Sequence, residues 1–160
     1  MAYANPEALV SAEWLAKNLK APDLRVVDAT WYLPNDGRNG IESYKSRHIP
    51  GAVFFDIDEI SDTQSDLPHM LPSAEQFAAE AANLGLGDGV KIVVYDANGG
   101  FMAACRVWWM FRVFGHENVA VLDGGLPSWL AKGLPVDDQN TPVQQRNFTA
   151  SKNDAMVSNI

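Results

Sequence analysis

The sequence predicts an α/β fold, with a central parallel sheet flanked by helices on both faces. Short β-branched runs alternate with stretches of helical spacing, which is the pattern of parallel strands joined by crossover helices. The run KIVVY at Lys91–Tyr95 is apolar at most positions, as expected for a strand covered on both faces. With 160 residues, of which 47% are hydrophobic, the chain forms one domain by default and needs no disulfide or metal to fold.

The first elements are predicted from a cap and from β-branched runs. Ser11 can cap a helix that continues through Leu19. A strand is expected at Leu24–Asp28, which reads LRVVD, and a second short strand at Ala52–Phe55. The clearest helix signal in the chain follows them, because Ser73 and Gln76 form a capping box. Its buried stripe recurs at helical spacing before a terminating glycine: Phe77, Ala81, Leu84 and then Gly85.

The next helix is the most apolar part of the chain. It is expected over Phe101–Phe114, followed by a strand at Val119–Leu122 and a short helix that opens at Pro127. Arg106 and Arg112 are the only charged residues of the long helix, so it must be covered on more than one side. The sheet covers one side. The N-terminal helix, the helix at Pro127 or a partner domain would cover the other.

The composition changes once, after about Leu134, where the chain becomes polar and poor in aliphatic residues. We therefore expect a domain over residues 1–136 and a polar interdomain linker or tail over residues 137–160. The formal net charge of −8 argues against nucleic acid or an anionic membrane as partner. The N-terminus shows no secretory signal, and the single cysteine suits a reducing compartment, so we expect a cytoplasmic protein.

Asp96 directly follows the central strand, at the start of a glycine-containing loop that leads into the long helix. Ligands of open α/β sheets bind beyond the carboxyl ends of strands, and loop N–H groups beside a helix N-terminus form an anion site. The carboxylate of Asp96 can itself fill such a cradle. The loop, with Gly99 and Gly100, is therefore either an anion-binding or catalytic loop or a structural turn, and spacing alone favours the turn.

Other reactive residue types carry weaker signals. Cys105 lies inside the long helix, where a buried and inert thiol is favoured over a nucleophile. None of the three histidines has metal-ligand spacing, and we expect neither a metal nor a cofactor. His48 and His116 are expected to make structural contacts, and His69, in a loop, is by itself an ordinary surface residue. Four acidic residues near the second strand predict the cap of a short helix: Asp56, Asp58, Glu59 and Asp62.

Six segments stand in a characteristic order and spacing between about Leu9 and Pro135. They read VDATWYLP at 27–34, RHIPGA at 47–52 running into FFDID at 54–58, PHMLP at 68–72, RVWWM at 106–110 and LDGGLPSW at 122–129. Together they resemble the rhodanese superfamily, and more closely the N-terminal domain of tandem-domain thiosulfate and mercaptopyruvate sulfurtransferases.

The resemblance implies a rhodanese fold and a transferase that works through a persulfide. In the family, a cysteine at the end of the central strand of the C-terminal domain accepts sulfur from a donor, and a thiol or cyanide removes it. Here Asp96 holds the equivalent position, and a carboxylate cannot carry that sulfur. The resemblance therefore implies the non-catalytic half of the enzyme, whose partner is a C-terminal rhodanese domain outside this sequence.

The same resemblance assigns roles in a cleft between the two domains, where a small anionic sulfur donor would bind. Asp58 and His69 match positions that the family brings to that cleft, where they act with a serine of the other domain in proton transfer. Trp31, Tyr32 and Pro34 would line the cleft. Two alternatives remain: a stand-alone, catalytically inactive rhodanese module that binds proteins or anions, and a single-domain enzyme that uses the one cysteine. The first interpretation implies that the sequence is a fragment.

Overall fold

The computed structural model describes residues 4–100 and 102–158. Five parallel strands form one sheet in the order β1-β5-β4-β2-β3: β1 Leu9–Val10, β2 Leu24–Asp28, β3 Val53–Phe54, β4 Lys91–Tyr95 and β5 Val119–Leu122. Five α-helices accompany them: α1 Ala12–Asn18, α2 Gly40–Ser46, α3 Ala74–Asn83, α4 Ala103–Val113 and α5 Gly125–Ala131. The predicted α/β fold, a parallel sheet with helices on both faces, is confirmed.

The central strand β4 separates two hydrophobic cores. Alternate residues of a strand point to opposite faces, so Ile92 and Val94 belong to one core and Val93 and Tyr95 to the other. The first core contains the apolar faces of α3 and α4, and the second contains those of α1 and α5. Because β4 is buried on both faces, its sequence shows a continuous apolar run rather than alternation.

The predicted caps set the starts of α1 and α3. Ser11 Oγ accepts a hydrogen bond from Trp14 N at 3.0 Å, and Ser73 Oγ accepts one from Gln76 N at 3.1 Å. The capping box is only half formed, because the Gln76 side chain donates to Ser61 O at 3.1 Å instead of reaching back to Ser73. Gln76 thereby ties α3 to the loop that follows β3.

Two helix boundaries differ from expectation. Helix α5 begins at Gly125, two residues before Pro127, which lies in the first turn where a missing N–H leaves no intrahelical bond unmade. The described part of α4 begins at Ala103, and Phe101 lies outside the described residues. Strand β1 and helix α2 were not predicted, because the former has two residues and the latter follows no strong apolar pattern.

The expected cover of α4 by the N-terminal helix or by the helix at Pro127 is wrong, because α1 and α5 pack on the opposite face of the sheet. Helix α3 and the C-terminal segment (residues 137–158) lie against α4 instead. Phe77 of α3 stacks on Phe114 with 4.5 Å between ring centroids. Trp109 Nε1 donates to Met156 O at 3.0 Å.

The C-terminal segment packs along the domain. His48 and Asp137 form an isolated antiparallel bridge, and Phe148 is 5% exposed within the core of α3 and α4. Asp88 accepts hydrogen bonds from both the N–H and the hydroxyl of Thr149. Among the described residues, no helix combines the length and apolarity that crossing a membrane requires.

Candidate functional site

Loops that follow β2, β3 and β4 meet at the carboxyl edge of the sheet. The loop after β4 is tied to the loop after β2, because Ala97 N donates to Thr30 Oγ1 at 3.1 Å and Asn98 Nδ2 donates to Trp31 O at 3.2 Å. Parallel strands place these loops together, so residues far apart in sequence converge here.

Asp96 fills the amide cradle at the end of β4. Its side chain is buried: Oδ1 accepts from Asn98 N at 2.9 Å and Gly100 N at 2.8 Å, and Oδ2 accepts from Ala104 N at 2.8 Å. Gly100 has a φ of +93°, and a Cβ there would lie 3.1 Å from Leu122 O. The loop thus closes around a carboxylate supplied by the chain itself.

Cys105 lies beside this loop but is exposed, so the expected burial is wrong. Its Sγ donates to Gly100 O at 2.9 Å. Partial burial, and then the charge of Asp96, raise the pKa of the Cys105 thiol. The raised pKa favours the thiol form at neutral pH, and the low reactivity of Cys105 stays a prediction.

The side chains of His69, Asp58 and Trp31 form a hydrogen-bonded cluster next to the loop after β4. His69 Nε2 is 2.6 Å from Asp58 Oδ1, and Trp31 Nε1 donates to the same carboxylate at 3.2 and 3.3 Å. The rings of Trp31 and His69 meet edge to face at 5.1 Å. The side chains of His69 and Asp58 are 32% and 62% exposed, so the pair is open to a group approaching from outside the domain.

The backbone at His69 has an unusual conformation and two defined hydrogen-bond contacts. His69 has a φ of +56°, the left-handed conformation that residues other than glycine rarely adopt. Arg106 Nη2 donates to His69 O, and Asp62 N donates to Met70 O at 2.8 Å, which closes the base of the loop.

A groove of about 300 Å³ opens beside the pair, with mostly apolar walls. It is lined by Trp31, Ile57, His69, Met102, Ala103 and Arg106. Burial lowers the pKa of the Arg106 guanidinium. Its Nε is buried and meets no hydrogen-bond acceptor in the described part of the chain. The site therefore combines the hydrogen-bonded His69–Asp58 pair with a cationic group beside an apolar surface.

The predicted cleft-lining residues are placed differently from one another. Trp31 lines both the apolar groove and a second groove, which Tyr32 lines together with Asn98 and Met102. The Tyr32 hydroxyl lies 3.3 Å from Ser43 Oγ. Pro34 is exposed and lines neither of these two grooves.

Sequence reasoning missed Arg106, Ile57 and Met102 at the site. Arg106 gave the one available signal, because a guanidinium within an apolar helix requires a polar contact. The acidic residues after β3 were expected to cap a helix. Asp56 Oδ1 does accept from Asp58 N at 2.9 Å, but it caps a single turn, and Asp58 turns to His69.

The other histidines make structural contacts, as expected. His48 is buried, with Nδ1 2.7 Å from Tyr44 O and Nε2 3.3 Å from the Asp137 carboxylate. His116 Nε2 lies 2.9 Å from Val90 O. Within residues 4–100 and 102–158, no three His, Cys, Asp or Glu side chains lie close enough together to hold a metal ion.

The chain is similar to proteins of known activity. It is 56% identical over 131 residues to thiosulfate/3-mercaptopyruvate sulfurtransferase 1, mitochondrial, of Arabidopsis thaliana, which covers 82% of this chain and 34% of that protein. It is 48% identical to human 3-mercaptopyruvate sulfurtransferase, over 94% of this chain and 52% of the human protein. The chain thus spans between a third and about half of the length of these relatives.

A solved structure shows the same fold. The crystal structure of a 3-mercaptopyruvate sulfotransferase from Escherichia coli superimposes with a TM-score of 0.86 and 40% sequence identity, covering 91% of this chain and 56% of that one. The family model for the rhodanese-like domain matches residues 11–132, which include every strand but β1 and all five helices. By sequence and by fold, this chain belongs to the rhodanese-like domain family.

Proposed function

We propose that the chain is the N-terminal, non-catalytic rhodanese domain of a two-domain sulfurtransferase. The whole enzyme moves sulfur from 3-mercaptopyruvate or thiosulfate to a thiol or cyanide, through a persulfide on a cysteine of the C-terminal domain. The observation that carries the proposal is the His69–Asp58 pair, 2.6 Å apart at the mouth of an open groove. The filled cradle at Asp96 supports it, because this domain offers no strand-end thiol of its own.

The pair supplies proton transfer to the cleft between the domains. A histidine is suited to gain and lose a proton near neutral pH, and an adjacent carboxylate orients its ring and stabilises its charged form. Both side chains are exposed enough to meet a serine and a substrate presented by the other domain. Trp31 Nε1 donates to both oxygens of the Asp58 carboxylate, including the Oδ1 that faces His69, and so helps to fix its orientation.

The two sulfur donors differ in their need for that proton. When a cysteine thiolate takes the sulfur of 3-mercaptopyruvate, the C–S bond breaks and its electrons leave on pyruvate as the enolate, which must take up a proton. When the thiolate takes the outer sulfur of thiosulfate, sulfite leaves with the bonding electrons and needs no proton. Loss of the pair should therefore slow the first reaction more than the second.

This difference gives the test of the proposal. In the full-length two-domain enzyme, we expect His69→Asn and Asp58→Asn to lower kcat with 3-mercaptopyruvate by about 10²-fold or more, the usual contribution of general acid–base catalysis. The rate of persulfide formation from thiosulfate should change by less than about threefold, because that step needs no proton. Asp66→Asn is the control, because Asp66 is an exposed acid of the same loop. Equal losses with both donors, or no loss with either, would contradict the proposal.

The single-domain alternative is tested on the 160-residue chain itself. After incubation with thiosulfate or 3-mercaptopyruvate without reductant, we expect its intact mass to show no added sulfur, because the raised pKa of Cys105 disfavours the thiolate. A gain of one sulfur atom that Cys105→Ser abolishes would make this domain an enzyme by itself.

The partner in this proposal is the C-terminal rhodanese domain of the same protein, and the ligand is a small anionic sulfur donor between the two. We propose the cytoplasm as the compartment, because the single cysteine suits reducing conditions. One relative is mitochondrial by name, so cell fractionation with an antibody to this chain distinguishes the two compartments.

A further inference from the structure

We propose that Arg106 is a positioning residue, which fixes the backbone of His69 so that the His69 ring meets Asp58. The inference rests on the proposed function for its effect on activity. Its structural part, that the Arg106 side chain maintains the His69–Asp58 contact, is tested independently of activity below.

The first support is the backbone conformation of His69. Its φ of +56° is held only where surrounding contacts over-determine it. Two hydrogen bonds do so here: Asp62 N to Met70 O closes the loop base, and Arg106 Nη2 binds the carbonyl of His69 itself. Because that carbonyl and the imidazole belong to one residue, a guanidinium that fixes the carbonyl also fixes the Cα–Cβ bond from which the imidazole projects towards Asp58.

The second support is the surroundings of Arg106. In a protein with a formal net charge of −8, its guanidinium makes no salt bridge within residues 4–100 and 102–158. Its contacts are His69 O and the ring of Trp109, whose centroid is 5.0 Å from the Arg106 Cζ. A half-buried charge without a carboxylate partner is unfavourable. The bond to His69 O satisfies part of this guanidinium, while its buried Nε meets no acceptor among the described residues. The hydrogen bond to His69 O joins the rigid helix α4 to the loop that carries the proton-transfer pair.

The third support is the geometry of the group as a whole. The Trp31 ring meets His69 edge to face and its Nε1 donates to Asp58, while Arg106 Nη2 donates to the carbonyl of His69. The 2.6 Å distance from Nε2 to Oδ1 depends on both contacts. A displacement of about 1 Å can cost a catalytic group about 10²-fold in rate, so a modest relaxation of this loop is enough to matter.

The test uses the full-length two-domain enzyme with Arg106→Gln, which keeps some length but loses the guanidinium fork. We expect kcat with 3-mercaptopyruvate to fall by about tenfold or more, with little change in KM and in persulfide formation from thiosulfate. Arg106→Lys retains a charged donor and should recover part of the rate. Arg112→Gln is the matched control, because Arg112 lies further along α4 with its guanidinium over Trp108, away from the loop.

A double-substitution cycle separates positioning from a general structural effect. If Arg106 acts through His69, then Arg106→Gln added to His69→Asn lowers kcat no further than His69→Asn alone. If the separate losses in kcat multiply in the double variant, the inference is overturned. It is also overturned if Arg106→Gln alone has the wild-type kcat. The stability of each variant is measured by unfolding in denaturant. If Arg106→Gln does not fold, the same cycle is measured with Arg106→Lys.

The ring nitrogens of His69 report the contact directly. In ¹⁵N spectra of the same enzyme, Arg106→Gln should move the His69 ring signals towards those of Asp58→Asn, and Arg112→Gln should leave them in place. Unchanged His69 signals in Arg106→Gln overturn the inference. If instead His69→Asn keeps full activity with 3-mercaptopyruvate, the proposed function fails, while the spectra still decide whether Arg106 fixes the ring.

Discussion

At the scale of single residues, Asp96 occupies the cradle of N–H groups at the end of the central strand β4. Three N–H groups point at its carboxylate, and one of them, Ala104 N, belongs to the first turn of α4. Charge-assisted hydrogen bonds of this kind are stronger than neutral ones, and a helix N-terminus adds to them. A side chain of the domain itself therefore occupies the cradle of N–H groups at the end of the central strand.

Asp96→Asn should destabilise the domain by about 1–3 kcal/mol, because an amide NH₂ would then face backbone donors inside a buried cradle. Asp123→Asn, at the exposed end of the neighbouring strand β5, should change the free energy of unfolding by less than about 0.5 kcal/mol. Both values come from urea denaturation of the 160-residue chain. If the two variants unfold alike, the cradle contributes no more than a surface turn.

At the scale of elements, the C-terminal segment (residues 137–158) packs against the core, although its polar sequence predicts a linker or tail. It is polar, yet Phe148 sits among the aromatic rings of α3 and α4, 5.4 Å from the Phe77 centroid and 6.0 Å from that of Phe111. The hydrogen bonds of Thr149 to Asp88 fix the backbone beside it, and they lower the pKa of the Asp88 carboxyl. The buried Phe148 ring and the hydrogen bonds of Thr149 thus add to the backbone contacts that attach the segment to the domain, such as Ser151 N to Phe114 O at 2.9 Å.

Phe148→Ala should lower the free energy of unfolding by about 3–5 kcal/mol, the usual cost of removing a buried aromatic side chain. Val143→Ala, in the same segment but 44% exposed, should cost less than about 1 kcal/mol. Hydrogen exchange of the segment's amides shows whether it detaches before the domain unfolds. Similar stabilities for the two variants would mean that the segment adds little to the core.

At the scale of the whole molecule, we expect stability to depend on pH through a buried imidazole that joins the C-terminal segment to β4. His116 stacks on Phe148 and lies 2.9 Å from the carbonyl of Val90, the residue before β4. Burial lowers the pKa of His116, against weaker opposing effects of the hydrogen bond to Val90 and the charge of Asp88. The neutral ring is therefore the form that the fold accommodates.

The unfolded chain binds a proton at His116 more readily than the folded chain, with an ordinary pKa of about 6.5. Stability should therefore be constant above about pH 7 and fall as the pH decreases from about 6.5 through the lower pKa of the folded state. We expect His116→Gln to lose most of this slope between pH 7 and pH 5. Urea denaturation across that range measures it, and an unchanged slope in His116→Gln would refute the assignment.

The exposure of the candidate site also bears on the organisation of the whole enzyme. The His69–Asp58 pair, the groove and Arg106 form an open surface of one domain. Proton transfer gains most when water is excluded and the reacting group is held in place. Both conditions require cover over the groove, which in the proposed enzyme the second rhodanese domain provides.

The sequence by itself determined the features that depend on near neighbours. The caps at Ser11 and Ser73 involve residues three apart, and the buried strand β4 is visible as a continuous apolar run. The filled loop could also be predicted, because Asp96 bonds to N–H groups two to eight residues ahead of it. Such contacts follow from local spacing, and local spacing is what a single sequence displays.

Only the tertiary structure decided which loops meet. Asp58 reaches His69 across 11 residues, Trp31 reaches Asp58 across 27, and Arg106 reaches His69 across 37. Residue by residue, the sequence read Asp58 as part of a cap and His69 as an ordinary surface histidine, and the family resemblance alone paired them. Loop conformations such as the positive φ of His69 follow no periodic pattern, so their contacts are fixed by the packing of the sheet and helices beneath them.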